Sequence, residues 1–380
     1  MSKDLRNHIS TSKRIVVKVG SSSITTAQGG IDEQKVNQIV KAIAKHHKKQ
    51  HEIVLVSSGA IAAGLAPLKL DSRPKDLSLQ QAVASVGQSL LVNKYSQEFS
   101  KYGINVGQVL LTAEDMSRRS HYRNAQRTFN KLLEMKVIPI VNENDTVATD
   151  EIRVGDNDRL AGIVTHLINA DALILLSDVD GLYTAPPGNA NSKFISEVKD
   201  FTEIEHLEIG GAGTSGVGTG GMFTKVQAAR IASAGGVTVL ITDAKNLEFL
   251  LDGKEVGTIF WPKKTKLSAR SLWISHAADI EGQIKVDKGA VNALLTKQAS
   301  LLSAGIKEVF GDFEDGAVVE VIDENHKVIA KGLTNFDSSE LPKMIGKNSA
   351  KLIEEFGAGY EKEVIHRDDL VLSADIVIDN

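Results

Sequence analysis

Short runs of apolar residues alternate with amphipathic stretches through roughly the first 260 residues of the chain. A strand that is apolar at every position is buried on both faces, and such strands separated by helices form a mostly parallel sheet with helices on each side. We therefore predict an α/β domain of αβα sandwich type with an open sheet. The predicted strands are Ile15–Val19, Ile53–Val56, Val106–Leu111, Val137–Val141, Ala172–Leu176 and Val237–Ile241, and the predicted helices are Glu33–His47, Gln80–Tyr102, Ser120–Met135, Asp158–Ile168 and Phe223–Ala234.

The pattern changes around Ile259 to Glu281, and short alternating segments follow it. Such segments, separated by polar turns, predict a small mixed or β-rich domain. The predicted organisation is a large α/β domain over residues 1–270, a linker over 271–282, the small domain over 283–365 and a C-terminal tail over 366–380.

Acidic charge is concentrated in the small domain. The 380 residues include 44 basic and 48 acidic ones, a net charge of −4. From Gln283 to the C-terminus there are 11 basic and 18 acidic residues, a net charge of −7. Because binding to a phosphate backbone depends on Lys and Arg, this distribution argues against a nucleic-acid partner.

The composition excludes several other classes of protein. The chain has no cysteine, so disulfides, thiolate metal sites and cysteine nucleophiles are excluded. Met1 to Arg14 is polar, and the longest apolar stretch, Ile53 to Leu68, is interrupted by serine and glycine and falls short of the ~20 apolar residues of a membrane span. We expect a cytoplasmic protein without membrane contact. The ten histidines show no metal-ligand spacing, and we expect them at the surface.

Two lysines stand beside glycine-rich turns. Lys18 interrupts the first apolar strand, just before Gly20, and a buried ammonium group is costly unless it meets an anion. Lys225 follows the glycine-rich segment 210–221 in the first turn of a predicted helix, where free N–H groups attract phosphate. The alternatives are an edge-strand lysine for Lys18 and a flexible surface loop for the glycine segment.

Carboxylates and amides follow other predicted strands. Asn142 and Asp145 come after one strand, Asp178 after another, and Asp156-Asn157-Asp158 precede an apolar helix. Because ligands bind at the carboxyl ends of strands in such sheets, the residues around Asn142 and Asp158 could hold an amine, a carboxylate-bearing substrate or a metal ion. Asp178 could orient a lysine or a hydrated Mg²⁺ at the phosphates. The alternatives are a helix N-cap around Asp158 and a simple β-turn at Asp178.

Two lysines, two glycine-rich loops and several carboxylates, with no obvious nucleophile, favour phosphoryl transfer. Catalysis of that reaction consists mostly of positioning and charge neutralisation.

Six motifs in order resemble those of the amino acid kinase superfamily, and specifically of the glutamate 5-kinase family, over residues 14 to about 262. The region from about Gly282 to Glu363 resembles a PUA domain. The motifs are Val17–Ser22, Ser57–Gly64, Val141–Asp145, Val154–Asp158, Asp180–Thr184 and Gly218–Lys225.

The resemblance implies ATP-dependent phosphorylation of the γ-carboxylate of L-glutamate to L-glutamyl 5-phosphate, the first step of proline biosynthesis from glutamate. It implies ATP and Mg²⁺ as cofactors, with Mg²⁺ held mainly by the ATP phosphates and not directly by protein ligands. It also implies feedback inhibition by proline at or overlapping the glutamate site, a homo-oligomer, and a glutamyl phosphate reductase as partner.

The resemblance also assigns roles to residues by their position in the motifs. Lys18 and Lys225 would bind and neutralise the transferring phosphoryl group, and Asp158 would orient both lysines. The implied substrate-binding residues are Ser58, Gly59, Asn142, Asp145, Asp156 and Asn157. The implied ATP-binding residues are Lys18, Gly20, Ser177, Asp178, Thr219, Gly220, Gly221, Met222, Phe223, Thr224 and Lys225.

One segment departs from the family pattern, because Ala185-Pro186-Pro187 stands where an acidic residue is expected at position 186. Three alternatives remain open at this stage. The chain could be a kinase of the same fold acting on aspartate, N-acetylglutamate, carbamate or a nucleotide. It could be an RNA-binding or RNA-modifying PUA protein, or a dinucleotide-dependent oxidoreductase using the glycine segment 211–221.

Overall fold

The structure, a computed structural model, describes most of the chain. It divides into two compact units, one of residues 1–116 and 120–266 and the other of residues 117–119 and 267–380. The described residues are 2–26, 30–147, 157–185, 189, 191–207, 221–263, 267–276, 278–297 and 299–373.

Helices and strands alternate up to residue 266. The helices are α1 (Ser2–Thr11), α2 (Glu33–His47), α3 (Ala60–Leu65), α4 (Leu77–Ser100), α5 (Ala113–Ser117), α6 (Arg119–Glu134), α7 (Asn157–Leu167), α8 (Met222–Ala234) and α9 (Leu247–Leu251). The strands are β1 (Arg14–Val19), β2 (Glu52–Ser57), β3 (Val106–Leu111), β4 (Ile138–Glu143), β5 (Ala172–Ser177), β6 (Leu182–Tyr183), β7 (Phe194–Ile195), β8 (Glu197–Val198), β9 (Thr238–Asp243) and β10 (Thr258–Phe260).

Eight of these strands form one sheet in the order β3-β4-β2-β1-β5-β9-β10-β8. All neighbours from β3 to β9 pair in parallel, and β10 pairs antiparallel to β9. The predicted α/β fold with a mostly parallel sheet is confirmed. The carboxyl ends of the parallel strands therefore meet at one edge of the sheet, which is where ligands bind in folds of this kind.

Strand β1 lies in the middle of the sheet, with β2 and β5 on its two sides. The alternative that Lys18 belongs to an edge strand is therefore wrong. Ile15, Val17 and Val19 pack into a core with residues of α2, α4 and α9. Because side chains alternate along a strand, Lys18 points to the opposite face, where α7 packs against β1.

The C-terminal unit contains a mixed five-stranded sheet, whose strands lie in the order β12 (Ile306–Gly311), β11 (Gly282–Val286), β13 (Val318–Ile322), β14 (Val328–Leu333) and β15 (Leu370–Leu372). Ile284, Val319 and Val321 contribute to its separate hydrophobic core. The predicted small β-rich domain is confirmed. Its elements are α10 (Ala269–His276), β11 (Gly282–Val286), α11 (Lys288–Lys297), β12 (Ile306–Gly311), β13 (Val318–Ile322), β14 (Val328–Leu333), α12 (Leu341–Met344), α13 (Ser349–Phe356) and β15 (Leu370–Leu372).

The expectation that the histidines are surface residues is wrong for three of them. His46, His166 and His276 are buried, since each lies on a helix face that packs against the protein. The sequence pattern gave no sign of this, because burial of an imidazole depends on tertiary contacts, such as the one of 2.8 Å between His166 Nε2 and the Ile231 carbonyl oxygen.

Within the described residues, no helix is both long enough and apolar enough to cross a membrane.

Candidate active site

Lys18 and Lys225 meet at the carboxylate of Asp158. The Lys18 Nζ lies 2.6 Å from Asp158 Oδ1, and the Lys225 Nζ lies 3.2 Å from Asp158 Oδ2. Thr224 Oγ1 donates a hydrogen bond of 2.9 Å to the same Oδ2. The two lysines are 3% and 6% exposed and Asp158 is fully buried, so this lysine–aspartate triad is desolvated.

The packing of α7 on α8 brings Asp158 and Lys225 together. Residues four apart lie on one face of a helix, so Asp158, Gly162 and His166 form one stripe along α7. A Cβ atom at Gly162 would lie only 3.1 Å from the Ala228 carbonyl oxygen of α8, so glycine permits this close approach. Asp158 lies one turn before Gly162 on α7, and Lys225 lies about one turn before Ala228 on α8, so the two side chains face each other. At the other end of the stripe, His166 Nε2 lies 2.8 Å from the Ile231 carbonyl oxygen.

The triad carries one positive charge in excess. Burial by itself would raise the pKa of Asp158, but Lys18, Lys225 and Thr224 outweigh burial and hold this pKa at about 2. Asp158 is therefore ionised at neutral pH, and it neutralises only one of the two ammonium groups. A buried net positive charge is stabilised by an anion, and the groups of this triad fit a phosphate.

The start of α8 contributes further polar groups. Gly221 is the N-cap, and its carbonyl oxygen lies 2.8 Å from Thr224 Oγ1, so it shares the single hydroxyl proton of Thr224 with Asp158. Met222 is half-buried, whereas Phe223 is 48% exposed and leaves an apolar surface beside the helix start. The predicted site residues Thr219 and Gly220, like Asp156, lie outside the described residues.

The ends of β1 and β5 lie next to each other beside the triad. A Cβ atom at Gly20 would lie 3.9 Å from Lys18 Nζ and 3.8 Å from the Leu176 carbonyl oxygen, so a ligand can approach the backbone there. Ser177 is buried and donates to Asp178 Oδ1 at 3.3 Å, and Asp178 itself is exposed. The structure therefore places Gly20, Ser177 and Asp178 on one side of Lys18.

The turn after β2 is held by a buried hydroxyl relay. Ser57 Oγ donates to the Ser58 carbonyl at 3.1 Å, and it lies 3.0 Å from the hydroxyl of Tyr95 on α4. The Ser58 N–H donates to the Val19 carbonyl at 2.9 Å, which ties the turn to the end of β1. Gly59 has φ of +104°, a left-handed conformation that favours glycine, and begins α3. Ser58 and Gly59 thus lie between β1 and β4.

The end of β4 provides the amide and carboxylate side chains. Asn142 is buried and donates from Nδ2 to Gln88 Oε1 of α4 at 2.7 Å. Asp145 follows in the next turn, and burial raises its pKa to about 6, against a smaller opposing influence of Arg73. At the start of α7, Asn157 Oδ1 is buried and accepts no hydrogen bond from the described residues. An ammonium group would be a suitable donor for Asp145 and for Asn157 Oδ1.

The structure thus brings the described predicted residues to one edge of the sheet, in two groups on either side of Lys18. Sequence reasoning missed Gln88 and Tyr95, which contact predicted site residues from α4. Their only signal in the sequence is a polar group within the apolar positions of a long helix, and core packing explains that equally well.

Known proteins share both the domains and the sequence. The profile of the amino acid kinase family matches residues 13–243, and that of the PUA domain matches residues 282–356. A glutamate 5-kinase of Streptomyces coelicolor is 53% identical over 367 residues, which cover 97% of this chain and 98% of that protein. One of Frankia casuarinae is 54% identical over 368 residues, covering 97% and 99%. The chain belongs to the glutamate 5-kinase branch of the amino acid kinase family.

Membership of this family confirms the resemblance found in the motifs and makes the chain an enzyme, a phosphotransferase. A solved structure supports the fold: carbamate kinase from Giardia lamblia bound to AMP-PNP has a TM-score of 0.50 and 19% sequence identity. The match covers 67% of this chain and all of that one. The amino acid kinase fold is therefore shared at low sequence identity.

Proposed function

We propose that this chain transfers the γ-phosphoryl group of ATP to the γ-carboxylate of L-glutamate. The product is L-glutamyl 5-phosphate, and the reaction is the first step of proline biosynthesis from glutamate. The observation that carries the proposal is the Lys18–Asp158–Lys225 triad, whose excess positive charge is buried at the carboxyl ends of the central strands.

The reaction needs no general base. A glutamate carboxylate has a pKa of ~4.3, so it is already an anionic nucleophile at pH 7. Electrostatic repulsion between this anion and the ATP phosphates opposes the reaction. Two buried ammonium groups reduce this repulsion more than solvent water does, because charges interact more strongly in a desolvated site. Asp158 holds both lysines at fixed positions, so little reorganisation is needed during transfer. Mg²⁺ bound to the nucleotide would neutralise further phosphate charge, without a direct protein ligand.

We assign the nucleotide to the side of β5 and α8. Gly20 lets the phosphates approach the backbone, and the N–H groups at the start of α8 point toward them. Ser177 and Asp178 supply polar contacts beside Lys18. The complete proposed set is Lys18, Gly20, Ser177, Asp178, Thr219, Gly220, Gly221, Met222, Phe223, Thr224 and Lys225.

We assign the amino acid to the side of β2 and β4. Asp145 and Asn157 Oδ1, which accepts no hydrogen bond from the described residues, are acceptors for the α-ammonium group. Ser58 and Gly59 lie between that end and Lys18, where the γ-carboxylate must be presented. Asn142 and Asp156 complete the proposed set.

Several broader properties belong to the same proposal. We expect a cytoplasmic homo-oligomer that proline inhibits at or overlapping the glutamate site. Its product would be the substrate of a glutamyl phosphate reductase. We also keep residues 1–270 as the catalytic domain, 271–282 as a linker, 283–365 as the PUA-like domain and 366–380 as a tail.

Trapping the acyl phosphate tests the function directly. The protein is incubated with MgATP, hydroxylamine and L-glutamate, and the hydroxamate is measured, with aspartate and N-acetylglutamate in parallel and with proline added. We expect hydroxamate from glutamate alone, and less of it with proline. Hydroxamate from another acid would mean a different substrate with the same chemistry. If folded protein forms no hydroxamate from any of the acids, phosphoryl transfer to a carboxylate is contradicted.

The glutamate KM is expected to rise about tenfold per pH unit below about pH 6. Since burial raises the pKa of Asp145 to about 6, this carboxyl group is protonated below that pH and no longer attracts the α-ammonium group. The measurement is KM for glutamate between pH 5 and 8. Asp145→Asn should show a high KM and a flat profile, whereas exposed Asp71→Asn should keep the profile of the parent protein. A flat profile in the parent protein would contradict the assignment.

A further inference from the structure

A cavity of about 620 Å³ lies between α4, strand β3 and the end of β4. Its lining includes Ser85 and Gln88 of α4, and Asn144 and Asp145 after β4. One wall of the cavity is therefore the carboxylate that we assign to the α-ammonium group. Another wall is α4, a helix that contains none of the predicted site residues.

The Gln88 side chain has a fixed orientation. Asn142 Oδ1 accepts from the Glu143 N–H at 2.9 Å, so the Asn142 side chain turns its Nδ2 donor toward Gln88. That donor meets Gln88 Oε1 at 2.7 Å, which settles which end of the Gln88 amide is oxygen.

The nitrogen of this amide is a buried donor. Gln88 is 8% exposed, and its Nε2 is buried and finds no acceptor in the described part of the chain. An unsatisfied buried donor is destabilising and rare. A ligand that provides an acceptor for it therefore gains binding free energy. Gln88 is one of the residues that line the cavity, and the other polar groups of the lining suit an amino acid.

The dimensions fit L-glutamate lying across the strand ends. The strand order β4-β2-β1 separates the strand of Asn142 from that of Lys18 by two strand spacings, roughly 10 Å. In extended glutamate the two carboxyl carbons are four bonds apart, about 5 Å, and a hydrogen bond of about 3 Å at each end gives about 11 Å. With the γ-carboxylate at Lys18, an extended glutamate spans the distance to the strand of Asn142, which is hydrogen-bonded to Gln88.

We propose that Gln88 Nε2 donates to the α-carboxylate of the amino-acid substrate and thereby sets the preference for a charged group at that position. Gln88 Oε1 meanwhile holds Asn142 in place. The inference rests on the proposed function, because it assumes that the γ-carboxylate of the substrate lies at the lysines.

Gln88→Glu tests this role with two substrates that differ only at the α-carboxyl group. The substituted carboxylate can still accept from Asn142 Nδ2, but it repels a second carboxylate. L-isoglutamine, the α-amide of glutamate, keeps the γ-carboxylate and the amine and would donate to that side chain. We expect kcat/KM for L-glutamate to fall about 100-fold, mostly through KM, while L-isoglutamine changes less than about threefold.

Asn93→Asp is the matched control, because Asn93 lines the same cavity from α4 but is exposed. It should leave the preference between the two substrates within about threefold of the parent value. If the Gln88→Glu protein does not fold, Gln88→Met is compared with L-glutamate and 4-aminobutyrate, which lacks an α-carboxylate. Here kcat/KM should fall about tenfold for glutamate only.

An equal loss for both substrates, or no loss for either, overturns the role of Gln88. Either result leaves the proposed function intact, provided that the parent protein makes hydroxamate from glutamate. Absence of hydroxamate in the parent protein would instead remove the proposed function itself. The two failures are therefore distinguished by the parent protein alone.

Discussion

Replacing Lys225 by methionine is expected to lower kcat by about 10²–10³-fold, and Lys18→Met should have an effect of the same order. Each substitution removes a buried positive charge that we assign to the transferring phosphoryl group, and a desolvated charge of this kind is worth far more than one in water. The measurement is kcat from the hydroxamate assay at saturating ATP and glutamate.

Lys131→Met provides the matched control, because Lys131 forms its ion pair with Glu134 at the surface, where it is 70% exposed. Its kcat should stay within about twofold of the parent value. Thermal unfolding of each variant separates loss of turnover from loss of fold. Unchanged kcat in both Lys18→Met and Lys225→Met would contradict the assignment of the triad to catalysis.

Substituting Asp158 by asparagine should reduce the free energy of unfolding by about 3–5 kcal/mol. The change leaves two buried ammonium groups without their shared carboxylate, and breaking a buried ion pair from one side is strongly destabilising. Denaturant unfolding at pH 7 measures the loss. A non-hydrolysable ATP analogue should recover part of it, since its phosphates supply the missing negative charge.

The same loss should depend on acid pH. The pKa of Asp158 is lowered from 3.8 to about 2 in the folded protein, so its stabilising contribution is complete above about pH 4 and disappears as pH falls toward 2. The difference between the parent protein and Asp158→Asn should therefore shrink over that interval.

A second substitution and a surface control define what Asp158 does. Asp158→Asn combined with Lys225→Met should be less destabilised than Asp158→Asn alone, because one unpaired ammonium group has been removed. Glu134→Gln, which breaks a lysine pair at the surface, should cost less than about 1 kcal/mol. If Asp158→Asn costs no more than Glu134→Gln, the triad is not the buried ion cluster described here.

The fold class could be predicted because its strands are buried on both faces. Strands β1, β2 and β5 are continuous apolar runs, and their pairing side by side follows from the helices that separate them. The short helices α3, α5 and α9 were missed, since five or six residues are too few to show a helical period. In the C-terminal unit, α11, of ten residues, and α13, of eight, were also missed, because the short alternating segments around them predict strands.

The polar site was predictable as a set of residues but not as an arrangement. Lys18 stood out because it interrupts an apolar strand, and Lys225 because it follows a glycine-rich segment at a helix start. That Asp158 contacts both lysines depends on the register of α7 against α8, which the close approach at Gly162 sets. Gln88 reaches the site from α4, far from every motif in the sequence.

The sequence by itself determined the class of fold, the family and the chemistry, because these depend on local patterns: apolar strands, glycine-rich turns, and lysines without a nucleophile. Only the tertiary structure decided which charges share a desolvated space and which buried donor finds no acceptor among the described residues. Those properties arise from contacts between residues 54 to 140 positions apart, such as Asn142 with Gln88 and Asp158 with Lys18. Their energies depend on burial, and burial is a property of the packed chain and not of any segment in it.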